Sequence, residues 1–265
     1  MKYFALLVFS FFCFTLSAQT DTVFNKTDAA GLKQGFWKKT YENGKLMYTG
    51  EFKDNKPEGT MKRYYKTGGL QAVLDFKPDG HSADAKLYFE DGELSAEGYY
   101  YDMQKDSLWK YYSFYTGTLV SEETYKKGKK FGTHHSYYEH GQVSEEITWT
   151  NDYKEGPWVQ YFPDGKEKMK TNYSFNMVNG RYYFYYDNGL LMILGNFVDN
   201  KRHGPWVFYN DDGTEKYKIE YDFGKALNAD KLLQDDEEYF KLIDENIGDF
   251  EDPSLEDFFP GGPGY

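Results

Sequence analysis

Polar and apolar residues alternate along this chain in short runs, and turn residues break the runs at regular intervals. Phe36 to Tyr41 alternates in this way, Glu42-Asn43-Gly44 follows as a turn, and Lys45 to Phe52 alternates again. A period of two predicts half-buried strands rather than helix. Asn-Gly between two such runs predicts a hairpin with a type I′ turn, in which both central residues take positive φ. Asp54-Asn55-Lys56-Pro57 then leads to the next run. Asp91-Gly92, Asp164-Gly165, Asn188-Gly189 and Asp212-Gly213 repeat the turn chemistry.

The unit recurs eight times. Blocks start at residues 35, 59, 83, 107, 132, 156, 180 and 204, so successive starts lie 24 residues apart, with one step of 25. Each opens on a small residue, usually Gly. A large side chain stands two positions on, an aromatic pair follows, and a turn glycine closes the first strand: Gly44, Gly68, Gly92, Gly117, Gly141, Gly165, Gly189 and Gly213. A fixed period of this size marks stacked supersecondary units that share a continuous core. The expected fold is all-β: an elongated single-sheet antiparallel β-hairpin array of about eight repeats, closed by a short C-terminal helix. Trp37, Trp109, Trp158 and Trp206 occupy the position two residues after the block start and are the expected core of the repeat. Gly50, Gly98 and Gly195 recur in the second strand, where a neighbouring ring is expected to lie across the backbone. Position five is Tyr in seven blocks and lies on the opposite face, so both faces carry aromatics and periodicity alone leaves the buried one open.

The pattern Gly-x-Trp-x-x-Tyr-Tyr-x-x-Gly followed by a second strand resembles the bacterial variant of the MORN repeat, over residues 31–224. The resemblance implies an extended antiparallel β-array used for binding. Bacterial members are often labelled antitoxin-like, and eukaryotic members are linked to lipid headgroups and protein assembly. Ala83, Ser107 and His134 depart from the Gly or Trp of the pattern, which places an irregularity near the middle of the array.

Composition refines this picture at the two ends. Met1-Lys2-Tyr3 and the apolar run Phe4 to Leu16, ending in Ser17-Ala18-Gln19, read as a secretory signal peptide over residues 1–19. Cys13, the only cysteine, lies inside it, so the mature chain is expected to hold no disulfide. Residues 20–34 form a leader and residues 35–224 the repeat array. Residues 225–248 form a helical cap with Asn228 as N-cap and Leu232, Tyr239, Phe240, Ile243 and Ile247 at near-helical spacing. Residues 249–265 form an acidic tail of disordered composition. The net charge is −12; the chain lacks the basic footprint of a nucleic-acid binder. No later run is long enough for a transmembrane segment in the mature chain.

No nucleophile elbow, phosphate loop or zinc-protease motif is present, and no cofactor or metal is expected. His134 and His135 are adjacent and point to opposite faces of a strand. Lys38, Lys62, Lys86 and Lys110 stand at position three of the first four blocks, on the face that carries Tyr64, Tyr88 and Tyr112. In register they form a row of cations beside aromatic rings, the candidate partner-binding strip; a solvated face whose lysine stems cover tyrosines is the alternative. The expected function is a non-enzymatic binding scaffold, exported to the periplasm or the cell exterior, whose partner is a protein or a cell-envelope polymer. An antitoxin-like or immunity inhibitor of one protein partner is the second reading, and a glycan-active enzyme the third.

Overall fold

The computed structural model describes residues 23–228. The expected signal peptide with Cys13, the expected helix from Leu232 to Ile247 and the acidic tail lie outside these residues.

The chain enters through β1 (Lys26–Thr27) and β2 (Lys33–Thr40), followed by β3 (Leu46–Lys53), β4 (Lys56–Tyr64), β5 (Leu70–Phe76) and β6 (Ser82–Tyr88). The middle holds β7 (Leu94–Tyr101), β8 (Gln104–Tyr112), β9 (Leu119–Lys126), β10 (Lys129–Tyr137), β11 (Val143–Thr150) and β12 (Tyr153–Tyr161). The last part holds β13 (Glu167–Ser174), β14 (Met177–Val178), β15 (Gly180–Tyr185), β16 (Leu191–Val198), β17 (Lys201–Arg202), β18 (Gly204–Tyr209), β19 (Glu215–Asp222) and β20 (Lys225–Ala226). All 20 strands belong to one antiparallel sheet in hairpin order; the two-residue strands β14 and β17 pair only with β13 and β16, which also pair with β15 and β18. No helix occurs among the described residues. Lys225 and Ala226, placed in the helical cap by the sequence, pair with Asp222 and Tyr221 instead. Asn228 accepts the Glu220 N–H at 2.8 Å and donates to the Lys218 carbonyl at 3.1 Å, continuing the ladder of β19.

The turns are distributed differently from the sequence expectation. Within a block, Tyr41 N–H donates to the Lys45 carbonyl and Gly44 N–H to the Tyr41 carbonyl, and Gly44 has φ 80° whereas Asn43 is not in the positive-φ region. That is a type I turn followed by a left-handed glycine, not a type I′ turn. The positive-φ pairs lie between the blocks: Asp54-Asn55, Asp102-Met103, Asn151-Asp152, Phe175-Asn176 and Asp199-Asn200 form two-residue links. The second residue of several links clamps the preceding block. Asn55 accepts the Lys33 N–H at 2.7 Å and returns its own N–H to the Lys33 carbonyl, and Asp152 with Lys130, Asn176 with Lys154 and Asn200 with Val178 repeat the pair.

Block-start glycines serve a second irregularity. Between β3 and β4, Thr49 pairs with Lys62 but Glu51 pairs with Glu58, so two extra residues bulge out at Gly59, whose φ is 62°. Ser107 holds the same bulge with φ 60°. At Ala83 it is absent: β5 and β6 pair residue for residue down to Phe76 and Ala83, and a longer link spans 77–81. Thr49 and Lys62 are 13 residues apart, as are Val73 and Lys86, so the residues withdrawn from the bulge reappear in the link.

The tryptophan face is the buried one. Trp109 and Trp206 are fully buried, Trp158 nearly so, and Trp37, at the sheet edge, is half-buried. A methyl group on Gly98 would stand 2.3 Å from the Trp109 ring, and one on Gly195 2.4 Å from the Trp206 ring, so both glycines are places where an indole crosses the backbone, as the sequence implied; at Gly50, expected to do the same, the neighbour is the Met61 side chain at 3.1 Å and no ring. Tyr41 does not join Trp37 on this face; its hydroxyl reaches sideways to the Tyr64 carbonyl of the next block at 2.8 Å, as Tyr65, Tyr138 and Tyr186 do to theirs.

Candidate interaction surface

Strand register brings position three of every block into one file. It runs Lys38, Thr49, Lys62, Val73, Lys86, Glu97, Lys110, Glu122, His135, Glu146, Val159, Lys170, Tyr183, Leu194, Val207, Lys218, one residue from each successive long strand. Lys38, Lys62 and Lys86 are exposed and Lys110 is half-buried. The four lysines are therefore in line, with one residue between each pair. Those intervening residues decide the electrostatics. Lys38 and Lys62 are separated by Thr49, and Lys62 and Lys86 by Val73, but Glu97 and Glu122 flank Lys110, the latter at 3.6 Å. His135 and Glu146 face each other at 3.7 Å. The net-cationic part of the file is its first third, and the centre alternates in sign.

The tyrosines of position five share this face. Tyr112 donates to Glu97 and Tyr137 to Glu122, both at 2.8 Å, and Tyr161 hydrogen-bonds Glu146. Burial, reinforced by the adjacent carboxylates, pushes the phenols of Tyr112, Tyr137 and Tyr161 up to about 12. Tyr64 and Tyr88 are half-buried on the same face.

A second set of cations is missing from the sequence expectations. The residue two positions before the block start is Lys33, Lys105, Lys130, Lys154 or Arg202 in five blocks, and it sits on the tryptophan face across from an aromatic ring. Tyr100 pairs with Lys105, Tyr125 with Lys130, Trp149 with Lys154 and Phe197 with Arg202. Lys105 is 8 % exposed, with Nζ about 5 Å from the Trp109, Tyr111 and Tyr125 ring centroids. Lys33 covers Trp37 and Phe52, Lys130 covers Trp149, and Arg202 covers Trp206 and Tyr221. A single sheet has no second layer over its apolar face, and these side chains supply one: stems pack on the rings and ammonium groups lie over π faces. The signal was available as a recurrent cation at a fixed offset, but only strand register shows that it meets the previous block's aromatic.

The middle of this face is polar. One apolar cluster spans Ala72 to Tyr125 and another Trp158 to Tyr221. At the far end of the first cluster a chain of hydrogen bonds runs from Lys105 Nζ to the Tyr111 hydroxyl at 2.6 Å and on to Tyr125 at 3.3 Å; Tyr125 donates to Glu123 at 2.5 Å, and Lys130 approaches Glu123 at 3.7 Å. Burial raises the Tyr125 phenol far above its usual range, with Tyr111 and Glu123 adding to the effect. Trp158 donates to Glu145. His134, in the tryptophan position, is buried with Nε2 3.1 Å from the Thr124 carbonyl, while His135 faces the other side, as their adjacency required. Among the described residues no cluster of three or more His, Cys, Asp or Glu could hold a metal ion, and no helix is long and apolar enough to cross a membrane.

The first two hairpins carry the relationship to known proteins. Residues 33–54 and 57–77 match the MORN repeat variant. The later hairpins repeat the geometry of these two, with the equivalent turn glycines in positive φ. No curated protein matches the chain. Two solved structures are similar over part of it. One is the crystal structure of the GtfA/B complex, at 16% identity over 39% of this chain and 19% of that one, with a TM-score of 0.26. The other is the crystal structure of TcdB2-TccC3-Cdc42, at 11% identity over 76% of this chain and 15% of that one, with a TM-score of 0.19. The chain spans less than a fifth of either.

Proposed function

We propose that this protein is a non-enzymatic binding scaffold, exported through the secretory pathway, that engages a protein or an envelope polymer through the exposed face of its sheet. The observation that supports this reading is the unbroken file from Lys38 to Lys218. Equivalent positions of successive blocks repeat every two strands, about 10 Å, which suits an extended partner with its own repeat. The charge pattern directs an acidic partner to the first blocks, where Lys38 and Lys62 have Thr49 and Val73 between and beyond them rather than glutamates.

The test is retention on immobilised polyglutamate. Lys38→Glu with Lys62→Glu is expected to reduce retention several-fold while leaving the melting temperature unchanged. Raising salt to about 0.5 M is expected to release the wild type, because exposed charges are then screened within a few ångströms. Equal retention of variant and wild type removes the first-block lysines from the binding surface.

A further inference from the structure

The block tips line one long side of the sheet, and the tip of the fourth block differs from the rest. Its one extra residue produces the turn Ser113-Phe114-Tyr115-Thr116-Gly117, in which Phe114 is 51% and Tyr115 91% exposed. Large exposed rings on a tip cost solvation and mark contact sites when they cluster. They do cluster: Phe114 packs edge-on against Phe89 of the third block at 5.1 Å between centroids, and against Tyr115 at 5.3 Å. The turn is also held in shape. Gly117 N–H donates to the Ser113 carbonyl and Ser113 N–H to the Thr118 carbonyl, both at 2.9 Å, and Ser113 Oγ accepts the Tyr115 N–H at 3.2 Å. Rings presented by a fixed turn lose little entropy on binding.

The neighbouring tips define what the rings receive. The third tip carries Glu90, Asp91 and Glu93, all exposed, and the fifth carries exposed Glu139. Glu90 is braced by Thr67 at 3.3 Å, and Asp91 accepts the Glu93 N–H at 3.1 Å. Aromatic faces flanked on both sides by carboxylates select a cation that is planar and weakly hydrated. Guanidinium stacks on rings and forks onto carboxylates, whereas a compact, strongly hydrated ammonium fits both tasks less well.

We propose that the Phe89–Phe114–Tyr115 tip is a docking site for an arginine-bearing segment of a partner protein. Adjacent tips lie two inter-strand spacings apart, about 10 Å, close to the three residues at about 3.1 Å each of one polyproline II turn, which brings every third side chain back to the same face. Arginines at every third position of a segment in polyproline II conformation would meet the acidic, aromatic and acidic tips in turn. This site lies apart from the lysine file and goes beyond the scaffold reading above.

The experiment titrates the full chain with a labelled peptide, acetyl-Arg-Gly-Ser-Arg-Gly-Ser-Arg-amide, by fluorescence anisotropy. Saturable binding is expected, weakened at least tenfold by Phe114→Ser with Tyr115→Ser and several-fold by E90Q/D91N/E93Q. Lys38→Glu with Lys62→Glu is expected to bind the peptide as the wild type does, which separates this site from the scaffold face. Should the double aromatic variant misfold, Tyr115→Ser alone carries the test, because its ring makes little contact with the sheet. Absence of saturable binding by the wild type overturns the proposal. So does full affinity in the aromatic variants, which would reduce the effect to general charge attraction.

Discussion

Ser107 holds a backbone conformation that six other blocks give to glycine. A side-chain-bearing residue in the left-handed region is strained by roughly 1–2 kcal/mol. Ser107 adopts it because the bulge at the block start is fixed by the strand pairing on both sides. Ser107→Gly is therefore expected to raise stability by ~1 kcal/mol in denaturant titration with an unchanged slope, and Gly156→Ser to lower it by a similar amount. A midpoint that stays put in Ser107→Gly would show that this turn is unstrained. The sequence displayed the recurring glycines but not their task, since a left-handed bulge and a close ring approach both select glycine. Gly98 and Gly195 were legible as ring crossings because they sit inside an alternating strand. Gly59 and Ser107 were not legible as bulges, because only the pairing partner reveals the two residues left over.

At the scale of the hairpin, the existence and order of strands followed from the period of two, and the turn type did not. Asn-Gly satisfies both a type I′ turn and a type I turn with a left-handed glycine. The choice rests on which residues close the loop, here Tyr41 and Lys45. The exposed face is tied hairpin to hairpin by phenol–carboxylate bonds, which makes its stability sensitive to alkali. Tyr112, Tyr137 and Tyr161 ionise at about 12 in the folded chain, above the ordinary value near 10. A raised folded value means that their contribution is complete below pH 10 and is lost as pH climbs from 10 to 12. Denaturation midpoints measured across that window are expected to hold to pH 10 and then fall, with a shallower fall when the three tyrosines are replaced by Phe. A midpoint independent of pH between 10 and 12 would contradict the link. The cation cover of the tryptophan face went unread for a related reason: Lys105 and Lys130 look like ordinary strand-end lysines until register sets them over rings contributed by other strands.

At the scale of the whole array, the described residues form one sheet that grows in one direction. Eight hairpins at two inter-strand spacings each give an array of roughly 75 Å, whereas a compact globule of this length has a radius of gyration of about 18 Å. Small-angle scattering is expected to return a clearly larger radius, and a value near 18 Å would mean that the array folds back on itself. The lysine row was legible in the sequence because the repeat length is constant. Its partial neutralisation was not, since Glu97 and Glu122 belong to returning strands whose alignment depends on the bulges.

The exchange at Ala83 and the extra residue before Gly117 have a common consequence. In the third block two residues pass from the bulge into the link; in the fourth, one is expelled into the tip. Neither change alters the pairing of the block that follows. The array thus behaves as a phase-locked lattice, in which every hairpin resets the count and a local error is not handed on. Tips are free to lengthen and change chemistry while the faces stay in step, so a specificity such as the aromatic tip at Phe114 and Tyr115 can arise in one hairpin without being paid for by its neighbours.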